Sequence, residues 1–157
     1  MNTRPRVYAT VLTLSLLSGT GKTTVARTIA KVLFGLGLIP SDRIVETSAL
    51  ELTADYVGQT TTKVTEALRE SKGGILFIDE AYNLGIGPFG KEACDTIVAA
   101  MTSEQFKDVV IVIAGYPHDI DSMLNSNAGL KSRFTHFFEF PDWRPEDCKS
   151  FFELLVK

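Results

Sequence analysis

Residues 18–24 (SGTGKTT) constrain this chain more than any other stretch. They join residues 7–17 (VYATVLTLSLL), β-branched and apolar as a buried parallel strand should be, to an amphipathic helical pattern that follows the loop. A glycine loop between a buried strand and a helix reads as a phosphate-binding loop. Glycines let backbone N–H groups turn inward round a polyphosphate, the lysine ammonium reaches the outer phosphates, and a hydroxyl beside it holds Mg²⁺. The positive end of the following helix points at the same anion. Ser18, Gly19, Thr20, Gly21, Lys22, Thr23 and Thr24 are therefore the candidate nucleotide-contacting residues, with Thr23 as a metal ligand. One position departs from the pattern G-x-x-x-x-G-K-[ST]: Leu16 stands where glycine is expected, and a residue with a Cβ resists the turn out of the strand.

A second signal lies in residues 73–80 (GGILFIDE), where four apolar residues bounded by glycines run into two carboxylates. Such a run is a strand buried on both faces, and carboxylates at its C-terminal end fall where open α/β sheets bind ligands. Asp79 is the second candidate Mg²⁺ ligand, and Glu80 the candidate base for a water attacking the γ-phosphate. By itself the acidic pair also fits a solvated turn after a strand; the phosphate loop is what draws it into a site.

The remaining chain fits the same plan. Residues 25–36 carry apolar positions at helical spacing, with Gly35, Gly37 and Pro40 as stop signals. Strands are expected over 43–47, 75–78, 109–114 and 136–140. Helices are expected over 60–72, capped by threonines, over 91–102 and 119–125, then near 129–134 and from about 146. Loops fill 54–59 and 83–90, the latter with three glycines and a proline. Five strands alternating with helices predict an α/β fold, a parallel sheet covered on both faces.

At 157 residues the chain suits one core, and a net charge of −3 gives no field to recruit nucleic acid. Cys94 and Cys148 lack metal-ligand spacing and read as reduced, partly buried thiols, which suits the cytoplasm, nucleus or plastid alike. Arg4 and Arg6 before the first apolar run resemble a secretory signal, but cleavage there would remove the strand that carries the phosphate loop. No other apolar run approaches the ~20 residues of a membrane span. His118 and His136 carry no evident partner, and Trp143 reads as packing a joint.

The motifs GTGKTTVAR, YVGQT, GGILFIDEAY, IVIAGY, NAGLKSRF and FPDWRPED together resemble AAA+ ATPase modules. More narrowly, they resemble the bacterial and plastid family that includes the red-type RuBisCO activase and sporulation stage V protein K. The resemblance implies a P-loop NTPase three-layer α/β/α sandwich with strand order 5-1-4-3-2. It also implies ATP and Mg²⁺ as ligands, ATP hydrolysis, and a homo-oligomeric ring, a hexamer, that remodels a protein partner. Arg133 falls at the position of the arginine finger that completes a neighbouring subunit's site, and Tyr56 at the pore-loop aromatic that grips a threaded polypeptide. Residues 1–141 correspond to the nucleotide-binding core, and 142–157 to a linker and the start of a helical lid that the chain does not complete. Leu16, Leu17 and Ser18 replace the usual glycine, asparagine and proline, and Tyr116 and His118 match the family's polar sensor poorly. With the incomplete lid, these departures leave a second reading open, an ATP-binding switch or degenerate module with little hydrolysis. A small-molecule kinase is a third, disfavoured by the DE pair and the SRF segment.

Overall fold

The computed structural model describes residues 9–14, 21–54, 56–140 and 144–155. Five parallel strands form one sheet: β1 (Ala9–Leu14), β2 (Ile44–Ser48), β3 (Ile75–Asp79), β4 (Val110–Gly115) and β5 (Phe137–Phe140). Their order across the sheet is β2-β3-β4-β1-β5, the implied 5-1-4-3-2 order read from the other edge. Among the described residues the α-helices are α1 (Lys22–Gly35), α2 (Ala49–Leu52), α3 (Gln59–Glu70), α4 (Gly87–Thr102), α5 (Pro117–Ser126), α6 (Ala128–Arg133) and α7 (Pro145–Leu155). Among the described residues no helix is long and apolar enough to cross a membrane.

The central strands β3 and β4 are apolar up to Asp79 at the end of β3 because each face of the sheet is covered. Ile75, Phe77, Val110, Val112 and Ala114 point to one side, where Ala26 and Ala30 of α1 are wholly buried and Val25, Ile29 and Leu33 pack beside them. Leu76, Ile78, Ile111 and Ile113 point to the other, against α2 to α6 through Leu52, Val64, Leu68, Ile97, Ile120 and Leu130. The period of two in the strands thus builds two cores from one continuous hydrophobic run.

Where β3 begins, the sheet leaves no room for a side chain. A Cβ on Gly74 would lie 2.2 Å from the Arg43 carbonyl oxygen, which accepts the Ile75 amide. Gly74→Ala is expected to lower stability by about 1–3 kcal/mol, since backbone and not a flexible side chain would have to move. Urea unfolding measures it, and an unchanged midpoint would show that the β2–β3 start can spread without cost.

Three local expectations need correction. Residues 83–90 are not a loop throughout: a 3₁₀ turn covers Ala81–Gly85, and α4 already begins at Gly87, with Pro88 in its first turn, where a missing N–H costs nothing. The N-cap of α3 is Gly58, which offers no side chain, rather than a threonine. The short α2 was not expected, although Ser48 and Glu51 form a reciprocal capping box that holds its start. The expectations on Leu16, Leu17, Ser18, Gly19, Thr20, Pro141 and Trp143 lie outside the described residues. Cys94 is a free buried thiol that donates to the Leu84 carbonyl, and burial pushes its pKa up to about 11.

Candidate functional site

Helix α1 carries two stripes that meet different parts of the sheet. Lys22, Ala26 and Ala30 recur every four residues, so the stripe that lies on the sheet continues at its N-terminal end as a lysine. Its stem is drawn inward, leaving the side chain 12% exposed, and its Nζ donates to Asp79 Oδ1 at 3.3 Å. Asp79 ends β3 on the same face as Ile75 and Phe77, which is why strand and helix deliver opposite charges to one point. The same carboxylate oxygen accepts the Glu80 amide at 2.8 Å.

Beside that stripe run Thr23 and Arg27, again four apart, and both engage Glu46 of β2. Arg27 donates from Nε at 3.1 Å and from Nη2 at 2.9 Å to Glu46 Oε1, while the Thr23 hydroxyl lies 3.4 Å from Oε2. Glu46 is paired in register with Phe77, and Ser48 with Asp79, so Glu46 stands two positions before Asp79's neighbour and shares its face of the sheet. Sequence reasoning placed Glu46 only in a strand. Its partners are 19 and 23 residues away, and no local pattern announces them.

The start of α1 suits an anion. Gly21 caps the helix with φ +95°, a conformation open to glycine, and a Cβ there would meet nothing within 4 Å. Gly21 offers no side chain to cap this helix and its first turn holds no acid, so the positive end of its dipole meets no carboxylate of its own first turn. Glu80 is the sole non-glycine residue with positive φ among the described residues, at φ 50° and ψ 39°. The strand thereby ends abruptly and turns into the 3₁₀ segment, leaving Asp79 and Glu80 side by side at the sheet's C-terminal edge. Tyr82 and Tyr116 follow on the same edge with ring centroids 6.3 Å apart. Burial, then the charges of Glu80, Tyr116 and Asp119, push the Tyr82 hydroxyl above its ordinary range.

Lys22, Thr23, Asp79 and Glu80 are therefore brought together. Arg133 is elsewhere, at the end of α6, with its guanidinium turned to the Gly129 carbonyl at 3.0 Å. Tyr56 and Val57 form the tip of the turn before α3, 70% and 88% exposed. The stem of that turn is braced: Ala54 N–H donates to the buried Thr60 hydroxyl, Lys63 to the Thr53 carbonyl, and Thr61 to Glu92 of α4 through both amide and hydroxyl. Those Thr61 bonds hold the Glu92 carboxyl below its usual range. His118 is exposed beside Asp119, and His136 lies 3.2 Å from the Thr135 hydroxyl.

The five-stranded parallel sheet covered on both faces is an α/β/α fold with the strand order expected of P-loop domains. The family model described as "ATPase family associated with various cellular activities (AAA)" matches residues 13–142, and the chain belongs to that family. It is similar to the ESX-1 secretion system protein EccA1 of Mycobacterium tuberculosis (strain ATCC 25618 / H37Rv), 45% identical over 135 residues, which cover 82% of this chain and 23% of that protein. Stage V sporulation protein K of Bacillus subtilis (strain 168) is 43% identical over 128 residues, 80% of this chain and 39% of that protein. The chain thus spans well under half the length of these relatives. Among solved structures, the FIGL-1 AAA domain in complex with ADP superposes with a TM-score of 0.61 at 18% identity, covering 96% of this chain and 48% of that one, a likeness of fold.

Proposed function

We propose that this chain is the nucleotide-binding core of a ring-forming AAA machine that hydrolyses ATP to remodel a protein partner. The observation that carries the proposal is the meeting of Lys22, at the start of α1, with Asp79, at the C-terminal end of β3, with Thr23 and Glu80 next to them along the chain. Residues 1–141 form the core in this reading, and 142–157 lead from it into a helical lid.

The residues present fit ATP and Mg²⁺. Gly21 in its left-handed conformation and the amides at the start of α1 suit phosphate oxygens, and in this reading Ser18, Gly19, Thr20 and Thr24 bind the same phosphates. Thr23 and Asp79 supply hard oxygen donors, as Mg²⁺ takes when phosphates complete its shell. Bound Mg²⁺ supplies Lewis-acid stabilisation of charge on the phosphate oxygens. The Lys22 ammonium compensates that charge from the loop side. The Glu80 carboxylate takes the proton of the attacking water, and Asp79, bonded to the Glu80 amide, fixes the backbone from which that base projects.

Arg133 acts in this reading on the next subunit, since a closed ring makes heterologous contacts that set a donor surface of one copy against a site of its neighbour. Arg133→Ala subunits mixed into an assembled ring are expected to lower ATP turnover more steeply than their fraction, because each also disables a parental site. Turnover falling only in proportion would place Arg133 outside catalysis. The exposed Tyr56 and Val57 on their braced stem suit a grip on an extended polypeptide, with aromatic area offered at low entropic cost.

A further inference from the structure

We propose that Glu46 is a positioning residue for the metal: it holds the Thr23 hydroxyl in the orientation that turns its lone pairs toward Mg²⁺. The inference rests on the reading of Thr23 as a metal ligand. A threonine hydroxyl has one proton and two lone pairs, so it ligates a cation well only when its proton is directed to an acceptor elsewhere. Glu46 Oε2, 3.4 Å from Thr23 Oγ1, is that acceptor. Its partner oxygen, Oε1, is occupied by two N–H groups of Arg27, so one end of the carboxylate is anchored and the other is left facing the hydroxyl. Metal coordination polarises the O–H bond and makes the hydroxyl a stronger donor, so the contact gains strength when the site is filled.

The geometry of the fold keeps the three groups together. Thr23 and Arg27 stand one turn apart on α1, and Glu46 projects from the edge strand on the face that also carries Asp79. A second carboxylate thus adds negative charge on the metal's side of the site, outside the direct ligands. The competing account is an ordinary surface ion pair. With side chains 62% and 34% exposed, Arg27 and Glu46 would then contribute little to stability and nothing specific to the metal.

The two accounts part in an equilibrium titration on the 157-residue chain, with no turnover involved. A fluorescent ATP analogue is bound first in EDTA and then with rising Mg²⁺, for the parent, Glu46→Gln, Arg27→Gln and Thr23→Ala. Glu46→Gln is expected to raise the Mg²⁺ midpoint about 10- to 100-fold, the range for removing an outer partner of a metal ligand, without weakening metal-free binding. Arg27→Gln should move it at most about fivefold, the ceiling for an exposed ion pair. A parental midpoint in Glu46→Gln, or equal shifts in Glu46→Gln and Arg27→Gln, overturns the inference and leaves the site reading standing, provided Thr23→Ala still shifts the midpoint. If Thr23→Ala has no effect, or Mg²⁺ does not alter binding to the parent, Thr23 is no ligand and both readings fall.

Discussion

Lys22→Ala is expected to weaken ATP binding by about 30- to 5,000-fold while the protein stays folded. In the ligand-free protein the ammonium is paired with a carboxylate that keeps a second bond, to the Glu80 amide, and is itself 39% exposed. Losing the lysine, which is 12% exposed, therefore costs the fold about 1.5–3 kcal/mol, the scale of a hydrogen bond to a charged group. Opposite a polyphosphate the balance differs. Removing the ammonium takes away one of the charges that would compensate the phosphate oxygens, and truncating one partner of such a charged pair costs about 2–5 kcal/mol, roughly 30- to 5,000-fold in Kd. Calorimetric titration of ATP·Mg²⁺, with thermal unfolding alongside, checks both halves. Equal affinity in variant and parent would remove Lys22 from the site, and a collapsed melting transition would show its role to be structural.

Glu80→Gln is expected to do the reverse. Binding should persist, since the amide keeps the size of the acid and Asp79 retains its contacts, while hydrolysis falls about 10²- to 10⁴-fold with the loss of a general base. Phosphate release under saturating ATP is the measurement, and a parental rate would refute the assignment. The backbone sharpens the test. Glu80 sits at φ 50°, where a side chain costs about 1–2 kcal/mol. Glu80→Gly should therefore be as inactive as Glu80→Gln but more stable, by about 1 kcal/mol after the glycine's larger unfolded-state entropy is subtracted. An active-site residue whose removal both stabilises the fold and stops the reaction is held there for chemistry.

The parts of this site that the sequence announces are those with local spacing. Gly21, Lys22 and Thr23 follow a strand and open a helix, and Asp79 and Glu80 end an apolar run, so loop and strand-end could be recognised without knowing that they touch. Their contact follows from topology: with β3 and β1 parallel and β4 between them, both C-terminal ends open on one edge. What escaped notice depends on longer range or shorter length. Glu46 meets Thr23 and Arg27 across the fold, and Glu92 meets Thr61 from 31 residues away. Helix α2 has four residues, too few for a 3.6-residue period to register, though Ser48 and Glu51 carried its signature. The first turn of α4 was hidden because Gly87 and Pro88 read as loop formers, whereas proline at a helix start is favourable. The left-handed turn at Glu80 has no trace in sequence, since glutamate is the wrong residue for it by propensity.

The central claim is that nucleotide and metal occupy the edge where α1 begins and β3 ends. A crystal structure of this chain with a non-hydrolysable ATP analogue and Mg²⁺ tests it most directly. The account predicts phosphate oxygens on the amides at the start of α1 and within hydrogen-bond reach of Lys22 Nζ, with Mg²⁺ on the Thr23 hydroxyl and on Asp79, directly or through water. Phosphates bound away from the start of α1, or a metal held by residues other than Thr23 and Asp79, would contradict it.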